Sequence, residues 1–160
     1  MRSFANFSEA IEMPDNDWID LLHKHEHNDR FRVHNTDAPW FELIKKRYPV
    51  WTSGIRWDDT PGSVSKYADP PGMCLSERIA EVRDFLREFG IASGLAHSGE
   101  CVVIGDIATN MALQIPFADL LELFPTLFSE PQGTYVCTPD CGWCFGFTFE
   151  EDMHYAPALA

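Results

Sequence analysis

A chain of 160 residues, 45% apolar and 13% aromatic, is long enough to close one domain around its own core and too apolar to stay unfolded. Its formal net charge of −13 disfavours nucleic acid and anionic lipid surfaces as partners, since both repel an acidic field. No apolar run approaches the roughly 20 residues that cross a bilayer, which excludes a single-helix membrane span.

The charge is unevenly placed. All 12 basic residues lie in 1–87, and residues 88–160 carry ten carboxylates with no lysine or arginine. Such a field attracts basic protein surfaces and speeds encounter with them. The first residues, Met1-Arg2-Ser3-Phe4-Ala5-Asn6-Phe7-Ser8-Glu9, show no apolar h-region. The expectation is therefore a cytoplasmic protein whose five cysteines, Cys74, Cys101, Cys137, Cys141 and Cys144, are reduced and mostly buried.

In chain order, Ser8 to Glu12 is ambiguous and Pro14 ends any helix there. Asp15 or Asn16 suits the cap of a helix near Asp17, with Trp18, Leu21 and Leu22 on one face. Phe31-Arg32-Val33-His34 alternates like a short strand. Ala38 to Tyr48 reads as a helix capped by Asp37, with Pro39 in the first turn. Its apolar stripe is Trp40, Leu43, Ile44 and Tyr48, and Lys45, Lys46 and Arg47 favour its C-terminal end. Residues 52–73 are loop-rich, with turns at Asp58-Asp59-Thr60-Pro61-Gly62 and Asp69-Pro70-Pro71-Gly72. They read either as a linker between lobes or, preferably, as an ordered loop, because Ile55, Trp57 and Tyr67 need cover.

A helix follows, capped by Ser76, with Ile79, Val82, Phe85, Leu86 and Phe89 inward and Gly90 just past its end. Cys101 to Ile104 reads as a buried strand, and Phe117 to Phe128 as a helix with Leu120, Leu121 and Phe124 inward and Pro125 shortening or kinking it. Tyr135 to Cys137 and Trp143 to Glu150 are strands around the turn Thr138 to Gly142. In the second strand Trp143, Phe145, Phe147 and Phe149 form an aromatic face, and Cys144, Gly146, Thr148 and Glu150 a small one suited to a close backbone or a partner. The fold class expected is α+β: a single domain over residues 1–160, with helices packed on a mainly antiparallel C-terminal sheet.

Several side-chain groups suggest chemistry. His23, His25 and His27 surround Glu26, and His34 follows. On a helix only His23 and His27 share a face, so this run fits a solvated helix end better than a metal site. Cys137, Cys141 and Cys144, with Cys101 or His154 as a fourth ligand, have the residue types of a zinc site. Trp143 and Phe145 are expected to crowd that site, and the usual second Cys-x-x-Cys is absent. The Cys-x-x-Cys of 141–144 opens no helix that would stabilise a thiolate. Pairs of Cys with His97 or His154 are too numerous to single out, and neither a Gly-x-Ser-x-Gly elbow nor a phosphate loop occurs. The expectation is a binding protein rather than an enzyme, without cofactor or resident metal. Glu150-Glu151-Asp152, extended by Asp140, Glu130 and Asp106, form the candidate contact surface for arginine or lysine of a partner. Trp51 and Trp57 are candidate exposed contacts in the loop.

The stretch Tyr135-Val136-Cys137-Thr138-Pro139-Asp140-Cys141-Gly142-Trp143-Cys144-Phe145-Gly146-Phe147-Thr148-Phe149-Glu150 resembles the ending of many small bacterial immunity proteins. These end in a strand, a short Pro/Asp turn, a Trp-containing strand and a glutamate, and accompany toxins of contact-dependent or type VI secretion systems. The cysteines depart from that pattern, and the likeness covers about 25 residues. It implies an inhibitor that binds a cognate toxin in the cytoplasm and blocks its site. The alternative is a zinc-binding or thiol-dependent enzyme using the histidine run or the C-terminal cysteines.

Overall fold

Cys101, Val102, Val103 and Ile104 are apolar at four successive positions, a pattern that suits a strand covered on both faces. A computed structural model shows that cover. It describes residues 31–51, 54–66, 75–92, 99–105, 112–127, 133–147 and 152–159. The strands are β1 (Arg32–His34), β2 (Val50–Trp51), β3 (Gly54–Ile55), β4 (Val64–Lys66), β5 (Glu100–Gly105), β6 (Ala112–Pro116), β7 (Thr134–Cys137), β8 (Trp143–Phe147) and β9 (Met153–Pro157). The helices are α1 (Ala38–Arg47), α2 (Leu75–Ala92) and α3 (Phe117–Leu127), with a 3₁₀ turn over Trp57–Asp59.

Seven strands form one antiparallel sheet in the order β1-β6-β5-β7-β8-β9-β4, and β2 and β3 make a separate hairpin. The α+β class and the antiparallel C-terminal sheet are as the sequence predicts. The N-terminal half also enters that sheet, because β1 pairs with β6 and β4 pairs with β9. Residues 54–66 are therefore an ordered part of the domain, not a linker between lobes. Ile55 and Trp57 are buried, as their apolar character required. Trp57 is thus no exposed contact, whereas Trp51 is 63% exposed beneath the Arg56 guanidinium.

The sheet has two dry faces. On one, Val103, Leu113, Val136 and Phe145 meet Val82, Phe85 and Leu86 of α2 and Phe117 and Leu120 of α3. On the other, Val102, Ile104, Cys137 and Cys144 meet Ile44 of α1 and Tyr48, which follows it, together with Ile55 and Trp57. The aromatic face of β8 packs as expected, with Phe145 against Phe85 and Trp143 against Tyr155. Its small face takes a side chain rather than a backbone or a partner: the Trp57 ring lies directly over Gly146. Phe149, Glu150, Tyr67 and the elements expected before residue 31 lie outside the described residues.

Three local expectations are corrected. Asp37 begins α1 with helical backbone angles and makes no side-chain cap bond; the Thr36 hydroxyl accepts the Ala38 N–H instead (3.2 Å). A side-chain cap needs extended backbone, which Asp37 lacks. Ser76 stands inside α2, which starts one residue earlier, and Gly90 lies within the helix, not beyond it. Glycine is needed there because the Phe117 ring of α3 rests where a Cβ would be. The third helix runs through Pro125 to Leu127. Strands β2, β3, β4, β6 and β9 form where the sequence pattern predicts none. Among the described residues, no helix is long and apolar enough to cross a membrane.

Filling the Gly146 niche tests the two-faced packing. A methyl group there collides with the Trp57 ring. Gly146→Ala is expected to cost about 1–3 kcal/mol, by analogy with other overpacked cores. Urea denaturation checks this, and Trp57→Leu in the same chain is expected to restore part of the loss.

Candidate functional site

The turn between β7 and β8 is the most elaborately tied part of the candidate surface. The Cys141 N–H donates to the Thr138 carbonyl (2.8 Å), closing the turn. Gly142 N–H donates to Thr138 Oγ1 (2.8 Å) and to Asp140 Oδ1 (2.9 Å). Asp and Thr side chains take such local N–H bonds readily, which is why this sequence turns here. Helix α1 grips the turn from outside. Arg47 Nη1 donates to the Asp140 carbonyl (2.6 Å), and the Tyr48 hydroxyl faces the carbonyls of Cys141 (3.1 Å) and Ala156 (3.4 Å). Burial pushes the Tyr48 phenol far up, so it stays a neutral donor. Hydrogen bonds from the Thr138 side chain and the Gly142 N–H hold the Asp140 carboxyl below its usual range. Asp140 is thus an ionised carboxylate with a 76% exposed side chain on a fixed turn.

Beneath the turn lie three thiols. Cys137 and Cys144 are cross-strand partners, and Cys141 closes over them. The pair that touches is Cys137 and Cys141, with sulfurs 3.6 Å apart, and not the Cys-x-x-Cys of 141–144. Cys144 Sγ instead faces the Phe145 carbonyl (3.7 Å). Trp143 and Phe145 do not crowd this group, since alternation along β8 sends them to the opposite face. Cys101 is on that opposite face too, its thiol donating to the Ile115 carbonyl (3.3 Å), so it cannot complete a ligand set with Cys137. Burial raises the thiols of Cys101 and Cys144, and a hydrogen bond to Cys141 followed by burial raises that of Cys137. Cys141 runs the other way: the neighbouring Cys137 thiol lowers it, against burial and Asp140.

His154 meets a hydroxyl rather than a thiol. Its Nδ1 and Ser65 Oγ share a hydrogen bond of 2.7 Å between β9 and β4, and its ring stacks on Trp57 at 5.1 Å. A hydroxyl–imidazole contact is also how a nucleophile meets its base. Here the pair fastens the edge strand β4 to β9. Burial lowers the His154 pKa, with Asp152 and Asp58 opposing that shift. His34 Nε2 contacts Gln114 Oε1 (3.0 Å), and Gln114 Nε2 donates to Glu100 (2.6 Å). Among the described residues, no group of three or more His, Cys, Asp or Glu side chains is arranged to hold a metal ion. His23, His25 and His27 lie outside them.

Of the expected contact residues, Glu150, Glu151, Glu130 and Asp106 lie outside the described residues. Asp140 is exposed at the hairpin tip, and Asp152 is half-buried where the chain enters β9. The charge separation along the chain does not survive folding intact, since Arg47 reaches Asp140 (3.8 Å to Oδ2) and β4 brings Lys66 beside β9. The carboxylates overlooked from sequence are Glu88 and Glu122, both exposed on the packed pair α2 and α3. Their signal was in the helical periodicity, which turns both away from the apolar stripes.

The Tyr135–Cys137 strand, Pro/Asp turn and Trp143 strand that carry the likeness to immunity proteins form one hairpin, and a further strand, β9, extends the ladder beyond it. Compared with known proteins, the chain matches no family model and no curated sequence.

Two substitutions test this geometry. Tyr48→Phe removes the hydroxyl facing Cys141 and Ala156 and is expected to lower unfolding free energy by about 1–2 kcal/mol, measured by urea titration. The depressed His154 pKa means the unfolded chain binds that proton more tightly, so acid favours unfolding below the ordinary imidazole value of 6.5. Stability of the parent relative to His154→Gln is therefore expected to rise with pH up to about 6.5 and then level, in titrations from about pH 5 to 8.

Proposed function

We propose that this chain is an immunity-type protein that binds and neutralises a basic toxin domain in the cytoplasm, acting by steric and electrostatic blockade rather than by catalysis. One observation carries the reading. The exposed carboxylates Glu88, Glu122 and Asp140 stand on two packed helices and a tied turn, all from a 73-residue stretch without lysine or arginine. Carboxylates on ordered backbone add no backbone ordering cost on binding, and their summed field speeds encounter with a cationic partner. A toxin that handles nucleotides or nucleic acid presents a cleft rich in lysine and arginine, which is the chemistry this charge complements. The hairpin likeness supports the same assignment. Burial raises the Cys101 and Cys144 thiols, which makes those two poor nucleophiles at neutral pH.

A pull-down from the native cytosol at low salt, followed by mass spectrometry, is expected to retain a basic toxin domain in a one-to-one complex, with the toxin's activity suppressed. With the purified pair, the association rate is expected to fall about tenfold or more between low and high salt. Triple charge reversal, Glu88→Lys, Glu122→Lys and Asp140→Lys, is expected to slow association at low salt. Salt-insensitive binding that also ignores the reversal sinks the electrostatic mechanism. A partner that stays active in the complex sinks the immunity assignment.

A further inference from the structure

The contact between Cys137 and Cys141 is unlike the other thiol environments described. All four described cysteines lie near a carbonyl in the dry interior, as buried cysteines commonly do, Cys141 near that of Trp40 (3.9 Å). Cys137 also faces a second sulfur at 3.6 Å, across a loop of only three residues. The covalent sulfur–sulfur distance is about 2.05 Å, so roughly 1.5 Å of approach separates this pair from a bond. Cys141 is the partner that sits on the turn rather than in a strand. It ends the turn in the left-handed region at φ 56, a conformation that costs a non-glycine residue about 1–2 kcal/mol. Like Cys137 and Cys144 it is fully buried, but its chain neighbours Asp140 and Pro139 are exposed.

We propose that Cys137 and Cys141 are an oxidisable dithiol that closes to a reversible disulfide, with Cys141 as the attacking sulfur and Cys137 as the resolving one. The oxidant is a hydroperoxide, small enough to reach a shielded turn. The Cys141 thiolate attacks one oxygen of hydrogen peroxide. The O–O bond breaks, hydroxide leaves, and Cys141 becomes a sulfenic acid. Cys137 sulfur then attacks Cys141 sulfur, the S–O bond breaks, and the departing hydroxide takes the Cys137 proton. Overall, two thiols and one peroxide give one disulfide and two waters. A small thiol reverses the change by exchange.

The chemistry of the pocket favours this product over a metal-bridged dithiolate. A disulfide is uncharged and suits the dry space beneath α1, whereas a metal would need further ligands, and among the described residues none is grouped with this pair. The pairing also sets the proton traffic. Either thiol can donate in the resting pair, and when Cys141 ionises Cys137 supplies the hydrogen bond, which is why the two pKa values move apart. Closure draws Cys141 inward, so the Tyr48 hydroxyl and Arg47 must follow or release their carbonyls. Oxidation is thereby coupled to how the Asp140 turn is held. The proposal stands on this geometry alone and is independent of the immunity reading.

The test uses the full reduced chain. After peroxide treatment and alkylation, intact mass is expected to show loss of two hydrogens, and peptide mapping a Cys137–Cys141 link that dithiothreitol removes. Cys101 and Cys144 are expected to stay alkylatable once the protein is denatured. In Cys137→Ser, dimedone is expected to trap a sulfenic acid at Cys141. A link to Cys144, Cys101 or Cys74 instead overturns the pairing. Full alkylation of Cys137 and Cys141 after an exposure that oxidises free glutathione overturns the proposal, and needs no variant to fold.

Discussion

The structure depends on the exclusion of water from both faces of its central strands. In β5 and β8 successive residues point to opposite sides, yet Cys101 to Ile104 and Trp143 to Phe147 are buried throughout. An antiparallel sheet commonly leaves one face wet. Here the pair α2 and α3 covers one side, and α1 with the Trp57 turn covers the other. This accounts for an acidic chain keeping so few charges within its sheet: among the described residues, carboxylates lie on helix surfaces, turns and strand ends. It also explains why small side chains recur where covering elements touch. Gly146 admits the Trp57 ring, and Gly90 admits the Phe117 ring.

Covering the second face has a consequence at the hairpin. Helix α1 is short and packs through Ile44 and the Tyr48 that follows it, and its last turn ends at the Thr138–Gly142 turn. Arg47 and Tyr48 therefore do more than complete a helix end. They satisfy carbonyls of the turn and bring a guanidinium into the acidic half of the molecule. Exposed ion pairs of this kind contribute little energy, so the value of Arg47 lies in its short bond to the Asp140 carbonyl and the position it imposes. The same grip holds Cys141 over Cys137. Charge presentation and thiol proximity are thus two results of one tertiary contact.

An acidic binding protein and an oxidisable dithiol are compatible because they use different atoms of the same hairpin. The carboxylate of Asp140 faces water, while the neighbouring sulfur faces the interior. The imidazole of His154 belongs to a third task. With Ser65 and Trp57 it fastens the edge strand β4, whose short length and Lys66 also discourage pairing with another chain.

The sequence by itself determined the element types wherever a periodic apolar pattern ran far enough. The stripe of Ile44 and Tyr48, the face of Val82, Phe85 and Leu86, the continuous run of β5 and the alternation of β8 each report burial directly, because side-chain direction follows backbone period. Composition likewise established the acidic balance. Short elements with weak patterns, such as β6, β9 and the β2–β3 hairpin, were not legible, since partner strands rather than local preference stabilise them. Spacing pointed to Cys-x-x-Cys at 141–144 and to His154 as a ligand. Only the tertiary structure decided that Cys141 meets Cys137, that His154 meets Ser65, and that Arg47 reaches across 93 residues to the Asp140 turn. The physical reason is the same in each case: sequence spacing fixes which residues share a strand face, but the turn geometry and the helix that covers it fix which atoms touch.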